Sequence, residues 1–186
     1  MRKLGMFMQL SLDGYFADSK SDMSWAHKQD DEWNAFAAEN ASGGGALLFG
    51  RVTYDMMASF WPTPAAAQTM PAVAERMNAL PKYVASRTMD KASWSNTTVL
   101  KGDLVAEVRK LKQQAGPDIA ILGSGSIVAQ LAEAGLIDAY QLVINPIALG
   151  AGKSIFAGVK RKLNLRVTDS RRFKNGNVVL TYVLAT

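Results

Sequence analysis

Cysteine is absent, which excludes a disulfide framework and thiolate chemistry. Histidine occurs once, as His27, which excludes a multi-histidine metal site and leaves no serine–histidine triad unless His27 serves it. No apolar run approaches the roughly 18 to 20 residues that a membrane span needs. The basic start, Arg2-Lys3, leads only into a short apolar run that breaks at Gln9, so it reads as a strand and not as a signal peptide. Internal repeats, linkers and low-complexity stretches are also lacking. What is present is ordinary for a globular chain: 48% hydrophobic and 20% charged residues. The 186 residues fit one domain, 1–186, with enough length to bury a core. A cytoplasmic location is expected. The net charge of +5 suits an anionic ligand or nucleic acid. Much of it falls in Lys160, Arg161, Lys162, Arg166, Arg171, Arg172 and Lys174, opposed there only by Asp169. Phe173 is the lone aromatic in that stretch, so base stacking has no platform. A solvated surface hairpin is expected, with no nucleic-acid partner.

The apolar periodicity gives the element order. Strands are expected over 3–12, 46–49, 82–86, 94–100, 119–122 and 140–146, then two more over 163–172 and 177–185. Asn175-Gly176, the strongest hairpin dipeptide, joins the last two. Helices are expected over 30–39, 52–59, 71–80, 104–114 and from the Gly-Ser-Gly turn to about Ala134. Ser42-Gly43-Gly44-Gly45 ends the first helix, and Gly135 caps the last. Trp61-Pro62-Thr63-Pro64 reads as irregular, because each proline restricts its predecessor. Gly150-Ala151-Gly152-Lys153 reads as a flexible loop. Strands and helices alternate until strands dominate the last third. The expected class is α/β, a mostly parallel central sheet flanked by helices with a C-terminal antiparallel hairpin.

Three strand ends carry groups that suit phosphate. At the first, Ile119 to Leu122 runs into Gly123-Ser124-Gly125-Ser126 and a helix. Such a turn leaves backbone N–H groups unpaired at the positive end of a helix dipole. Glycine there lets the backbone approach a pyrophosphate. At the second, Phe49-Gly50-Arg51-Val52-Thr53 places amides, a guanidinium and a hydroxyl at a helix start. At the third, Ser86-Arg87-Thr88 offers two hydroxyls and an arginine to a phosphate monoester. Ligands of open α/β sheets gather beyond the strand C-termini, where all three lie. The usual dinucleotide fold does not fit. Its glycine turn follows the first strand, and an acid closes the next, whereas here the next strand ends Ile144-Asn145-Pro146. Basic and hydroxyl groups upstream lean instead toward a phosphorylated ribose, hence NADPH over NADH.

In this order the sequence resembles the dihydrofolate reductase-like superfamily, and within it the branch of the riboflavin-biosynthesis reductase domain and its stand-alone bacterial relatives. The carrying stretches are Gln9-Leu10-Ser11-Leu12-Asp13-Gly14, Phe49 to Tyr54, Ser86-Arg87-Thr88, Leu122 to Gln130 and Ala134-Gly135-Leu136-Ile137-Asp138. The resemblance spans nearly the whole chain. It implies NADPH as cofactor and hydride transfer to a small conjugated heterocycle, pterin-like, pyrimidine or related. It implies Gly50, Arg51, Val52 and Thr53 at the pyrophosphate and 2′-phosphate, and Ser86, Arg87 and Thr88 at the 2′-phosphate. Gly123, Ser124, Gly125, Ser126 and Ile127 would cradle the pyrophosphate and the nicotinamide ribose. Met8, Gln9, Phe16 and Ala17 would flank the nicotinamide. A homodimer is implied as well.

Two positions depart from the riboflavin-pathway pattern, which has a lysine where Phe7 stands and a glutamate where Leu122 stands. Folate enzymes place a carboxylate on the first helix. Asp30, Asp31 and Glu32 crowd that helix start here, and Asp31 and Glu32 are the candidate catalytic acids. Acids in a first turn also simply offset the helix dipole. Asp13, Trp25 and Trp61 are candidate substrate contacts, Asp13 with a turn role as its alternative. Trp33 is as well suited to core packing. His27 and Lys153 read as loop and surface residues. The alternative to a reductase is a nucleotide-binding sensor or partner-binding protein without turnover.

Overall fold

The computed structural model describes residues 1–27, 30–42 and 45–185. The chain runs through β1 (Leu4–Leu10), β2 (Tyr15–Ala17), a 3-10 turn (Ser24–Ala26), α1 (Asp31–Ser42), β3 (Ala46–Gly50), α2 (Arg51–Phe60) and α3 (Pro64–Thr69). It continues with α4 (Pro71–Ala79), β4 (Lys82–Ala85), β5 (Thr97–Leu100), α5 (Leu104–Gln113), β6 (Ile119–Ile121) and α6 (Gly125–Glu133). The last elements are β7 (Ala139–Ile144), β8 (Lys153–Ser154), β9 (Leu165–Arg172) and β10 (Val178–Leu184). The expected end of α1 at Gly43-Gly44 lies outside the described residues.

The main sheet has eight strands in the order β5-β4-β3-β6-β1-β7-β10-β9. Its pairs are parallel from β5 to β7, and β10 runs antiparallel to both β7 and β9. The α/β expectation, with its parallel sheet and closing hairpin, holds. Parallel strands are covered on both faces and read as near-continuous apolar runs. β3 is the clearest case, buried at all five residues.

Alternation along each strand divides the core into two faces. Leu4, Met6, Met8 and Leu10 pack with Val108 and Leu111 of α5 and with Ile127, Val128 and Leu131 of α6. On the other face Leu47, Phe49 and Val84 pack with Tyr54 of α2, Val73 and Met77 of α4, and Trp94. Trp33 of α1 joins Val143, Val179 and Phe173 on that same face. Trp33 is therefore a core residue, edge-on to Phe173 with ring centroids 5.1 Å apart.

Four local outcomes differ from the sequence reading. The proline-rich stretch leads directly into α3. Thr63 Oγ1 accepts from the Ala66 N–H at 3.3 Å, and Pro64 takes the first helical position, where its missing N–H costs nothing. β5 starts at Thr97, because Trp94 turns inward and its N–H donates to Tyr54 Oη. β2 and β8 form a small second sheet that the sequence did not announce. Lys153, expected as a free surface lysine in a flexible loop, belongs to that sheet and donates to Ser21 Oγ at 2.6 Å.

Candidate functional site

β3 and β6 are neighbours, but their chains leave in opposite directions. β3 leads through α2, α3 and α4 to β4 on one side, and β6 leads through α6 to β7 on the other. A crevice opens beyond the strand ends at such a switch point. The three phosphate-friendly turns meet there. The Gly50 N–H donates to the Gly123 oxygen at 2.9 Å, joining the second turn to the first. Arg51 Nη1 donates to Thr88 Oγ1, joining the second to the third. A Cβ at Gly50 would sit 2.7 Å from Ser124 Oγ, and one at Gly123 would sit 3.0 Å from Thr53 Oγ1. A side chain at either glycine would push these hydroxyls aside. The Gly123–Ser124 peptide bond is cis, and Gly123 has φ +123°.

The two helices that begin at this crevice carry no side-chain cap. Gly50 precedes α2 and Ser124 precedes α6, and neither supplies a capping oxygen. Ser124 Oγ instead lies 2.8 Å from Ser126 Oγ. Away from the crevice α1, α3 and α5 carry side-chain caps, whereas α4, which follows Met70, has none. Asp30 Oδ1 accepts from the Trp33 N–H at 2.7 Å, and Asp103 Oδ1 accepts from the Ala106 N–H at 2.9 Å. Two free helix N-termini side by side are a concentration of N–H donors and positive dipole. Arg51, Val52, Arg87, Thr88 and Ser126 are exposed around them, and Thr53, Ser86 and Ser124 are half-buried. Arg51 also sits 3.5 Å from Asp55, one helical turn on. Ser86 Oγ accepts from the Met89 N–H at 3.1 Å, which shapes the third turn.

Beside this crevice lies the end of β1. Met8 is buried in the core, and Gln9, half-buried, points to the α1 face. Phe16 lies over the start of α6, so closely that a Cβ at Gly125 would fall 2.2 Å from its ring. Ile127 and Ala17 are buried. The structure thus brings together the turns at Gly50, Ser86 and Gly123 with the Phe16 ring.

Asp13 is engaged. Its carboxylate accepts from the Leu149 N–H at 3.1 Å and the Gly150 N–H at 2.7 Å, tying the β1–β2 loop to the β7–β8 loop. The Ser11 hydroxyl and then these amides hold its pKa down at about 2. The geometry is that of the turn role. Trp25 stands on the 3-10 turn, its Nε1 donating to the Asp22 oxygen at 3.2 Å. Trp61 ends α2, packs edge-on against Phe60 and donates to Met57 Sδ. His27 is exposed.

The first-helix acids face elsewhere. Glu32 accepts from the Lys174 N–H at 3.2 Å and pairs with Arg171 at 3.7 Å, so it holds the C-terminal hairpin. Asp31 is exposed on the first turn. Among the described residues no group of carboxylates and histidine suits a metal ion, and no helix is long and apolar enough to cross a membrane. A cavity of about 280 Å³ opens between α1 and the outer strands, lined by Phe36, Gln141, Asp169 and Arg171. It lies off the strand ends and lacks their donor groups.

Two features needed the structure. Met6 pairs with Ile121, so counting on sets Phe7 beside Leu122. The two positions that depart from the riboflavin-pathway pattern thus follow one another across β1 and β6, both half-buried, Phe7 packing with the Trp33 cluster and Leu122 with the Phe49 cluster. Asn145, which closes β7, is fully buried and donates to Gln9 Oε1 at 2.9 Å. Its signal was a lone polar residue ending an apolar strand.

The fold is dihydrofolate reductase-like. The dihydrofolate reductase of Enterococcus faecalis, complexed with NADP(H) and RAB-propyl, superposes with a TM-score of 0.65 at 13% identity, covering 99% of this chain and 97% of that one. A putative riboflavin biosynthesis protein from Shewanella sp. PV-4 gives 0.75 at 24% identity and 99% of each chain. The model of the RibD C-terminal domain matches residues 2–179, and the chain belongs to that reductase family. The uncharacterized protein YyaP of Bacillus subtilis (strain 168) is 26% identical over 181 residues, 97% of this chain and 94% of its own.

Proposed function

We propose that the protein is an NADPH-dependent reductase of a small conjugated heterocycle. The observation that carries the reading is the pair of uncapped helix N-termini, α2 and α6, meeting at the switch point with Arg51 bridged to Thr88. Unpaired amides at a dipole's positive end fit a pyrophosphate, and a guanidinium beside hydroxyls fits a phosphate monoester. The residues present therefore fit NADPH. Gly50 to Thr53 would hold the pyrophosphate and the 2′-phosphate, Gly123 to Ile127 the pyrophosphate and the nicotinamide ribose, and Ser86, Arg87 and Thr88 the 2′-phosphate. Met8, Gln9, Phe16 and Ala17 would flank the nicotinamide. NADPH, when bound, supplies the hydride.

The chain's own part is to bind and to align. Phe7 and Leu122 would put apolar side chains on the substrate side where the riboflavin-pathway pattern has charge. We take this as support for a flat, weakly charged substrate other than the riboflavin-pathway one. Glu32 is committed to Arg171 and Lys174, and Asp31 faces solvent, so water is the proton source in this proposal. That same commitment favours the second reading, a nucleotide-binding protein without turnover. Loss of NADPH absorbance against a panel of heterocycles separates the two. Oxidation with any panel member supports the reductase, whereas tight NADPH binding with no oxidation supports the second reading. A homodimer belongs to the proposal, with light scattering as its check.

A further inference from the structure

The end of β7 holds a buried polar side chain that none of the phosphate-binding turns contains. Asn145 is 0% exposed. Its Nδ2 lies 2.9 Å from Gln9 Oε1, 3.1 Å from the Leu10 oxygen and 3.4 Å from the Val143 oxygen. Carbonyl oxygens only accept, so the two backbone oxygens require nitrogen at that end of the Asn145 amide. A nitrogen facing Gln9 then requires the Gln9 oxygen to turn inward. The Gln9 Nε2, with its two protons, is left at the outer end of a half-buried residue. Gln9 stands next to the last residue of β1, on the sheet edge where the neighbouring β6 ends and runs on into the Gly123–Ser124 turn. The arrangement is not free. Asn145 Oδ1 is buried with no partner among the described residues, as are both amide atoms of Asn177, the residue facing it across β7 and β10. A leucine at 145 would avoid that cost. Beside the two backbone oxygens, the one side chain it holds is that of Gln9.

The geometry points to Asn145 as a positioning residue that locks the Gln9 carboxamide with its N–H donors toward the substrate, so that the site selects planar heterocycles bearing a carbonyl oxygen over those bearing an amino group. This rests on the reductase reading. A site built around a fixed donor rejects a ligand that also offers a donor, because neither group is then paired.

The test uses the full chain with uracil as the carbonyl probe and 2,4-diaminopyrimidine as the amino probe, bound in the presence of NADP+. The wild type prefers uracil by at least about tenfold. Gln9→Glu keeps the bond from Asn145 and turns an acceptor outward, so the preference inverts. Asn145→Leu frees the Gln9 amide to rotate, and the preference flattens. Side-chain amide exchange by NMR reads the orientation without any ligand. The Asn145 amide protons are protected and those of Gln9 exchange fast, in the wild type and whether or not the leucine variant folds. Equal binding of the two probes, binding of neither, or protected Gln9 protons overturns the inference. So does a Gln9→Glu effect confined to NADPH affinity, which would assign the carbonyl to the nicotinamide carboxamide. A wild type that ignores NADPH brings down the reductase reading instead, and the exchange pattern still decides the Gln9 orientation.

Discussion

Replacing Gly50 by alanine probes the contact on which the crevice is built. Gly50 has φ −76° and ψ 158°, a conformation open to any residue, so backbone strain plays no part. The alanine restricts the unfolded chain and stabilises by about 0.4–1 kcal/mol on that count. Against it, the new Cβ meets Ser124 Oγ at 2.7 Å, Ile127 Cδ1 at 3.2 Å and Ser124 N at 3.3 Å. The hydroxyl can swing away, at the loss of its 2.8 Å contact with Ser126 Oγ. The backbone nitrogen and the isoleucine must shift by a few tenths of an ångström. Overpacking of this kind costs roughly 1–3 kcal/mol. The net loss of stability is about 0–2.5 kcal/mol, a fall in Tm of up to about 10 °C for a chain of this size. Ligand binding suffers more directly, because the displaced group is the amide at the start of α6. Losing one charge-assisted hydrogen bond to phosphate removes about 1.5–3 kcal/mol, or roughly 10- to 150-fold in NADPH affinity. Tryptophan fluorescence titration with NADPH, beside a thermal melt, measures both. Gly5→Ala is the control, since its Cβ meets nothing closer than 3.9 Å. A Gly50→Ala protein that melts lower but binds NADPH as tightly as Gly5→Ala refutes the placement of phosphate at this turn.

Further outcomes follow from the same geometry. Arg51→Ala removes the guanidinium beside Thr88, and should weaken NADPH by roughly 10- to 100-fold while changing NADH far less, read by paired titrations. Asp13→Ala releases the Leu149 and Gly150 amides, whose hydrogen exchange should accelerate with NADPH affinity little changed. The Asp13 pKa is held at about 2, below its unfolded value, so its contribution to stability is present above that unfolded value and fades as pH falls through about 2. Lys82 is buried, with Nζ donating to the oxygens of Met77, Asn78 and Leu80 and lying 4.5 Å from the Trp94 ring. Burial lowers its pKa to about 8, so the unfolded state binds more protons above that value. Stability should rise from about pH 8 toward pH 10, and denaturant melts of Lys82→Met should lack the rise. Burial raises the Tyr140 pKa, which turns the trend downward at higher pH.

Much of the fold was legible because local pattern and tertiary role agree. β3 is buried on both faces and is apolar throughout. α5 carries Leu104, Val108 and Leu111 on one side and the exposed Arg109 and Lys110 on the other, and Asn175-Gly176 sets the hairpin. The crevice turns were legible for the same reason, since small and hydroxyl residues after an apolar run have few other uses. What stayed hidden depends on pairing across long separations. β2 and β8 are three and two residues long and exist only through each other. Glu32 reads as a candidate acid until the hairpin's Arg171 and Lys174 fold back onto it. Phe7 and Leu122 are 115 positions apart and come side by side only through the β1–β6 register. The Gln9–Asn145 amide pair needs both the β1–β7 register and the direction of each side chain.

The most direct measurement is an equilibrium titration of the purified protein with NADPH and, in parallel, with NADH. The account predicts saturable NADPH binding in the micromolar range or tighter, and weaker NADH binding because Arg51, Ser86, Arg87 and Thr88 then meet no 2′-phosphate. No binding of NADPH at millimolar concentration, or equal affinity for the two, contradicts it.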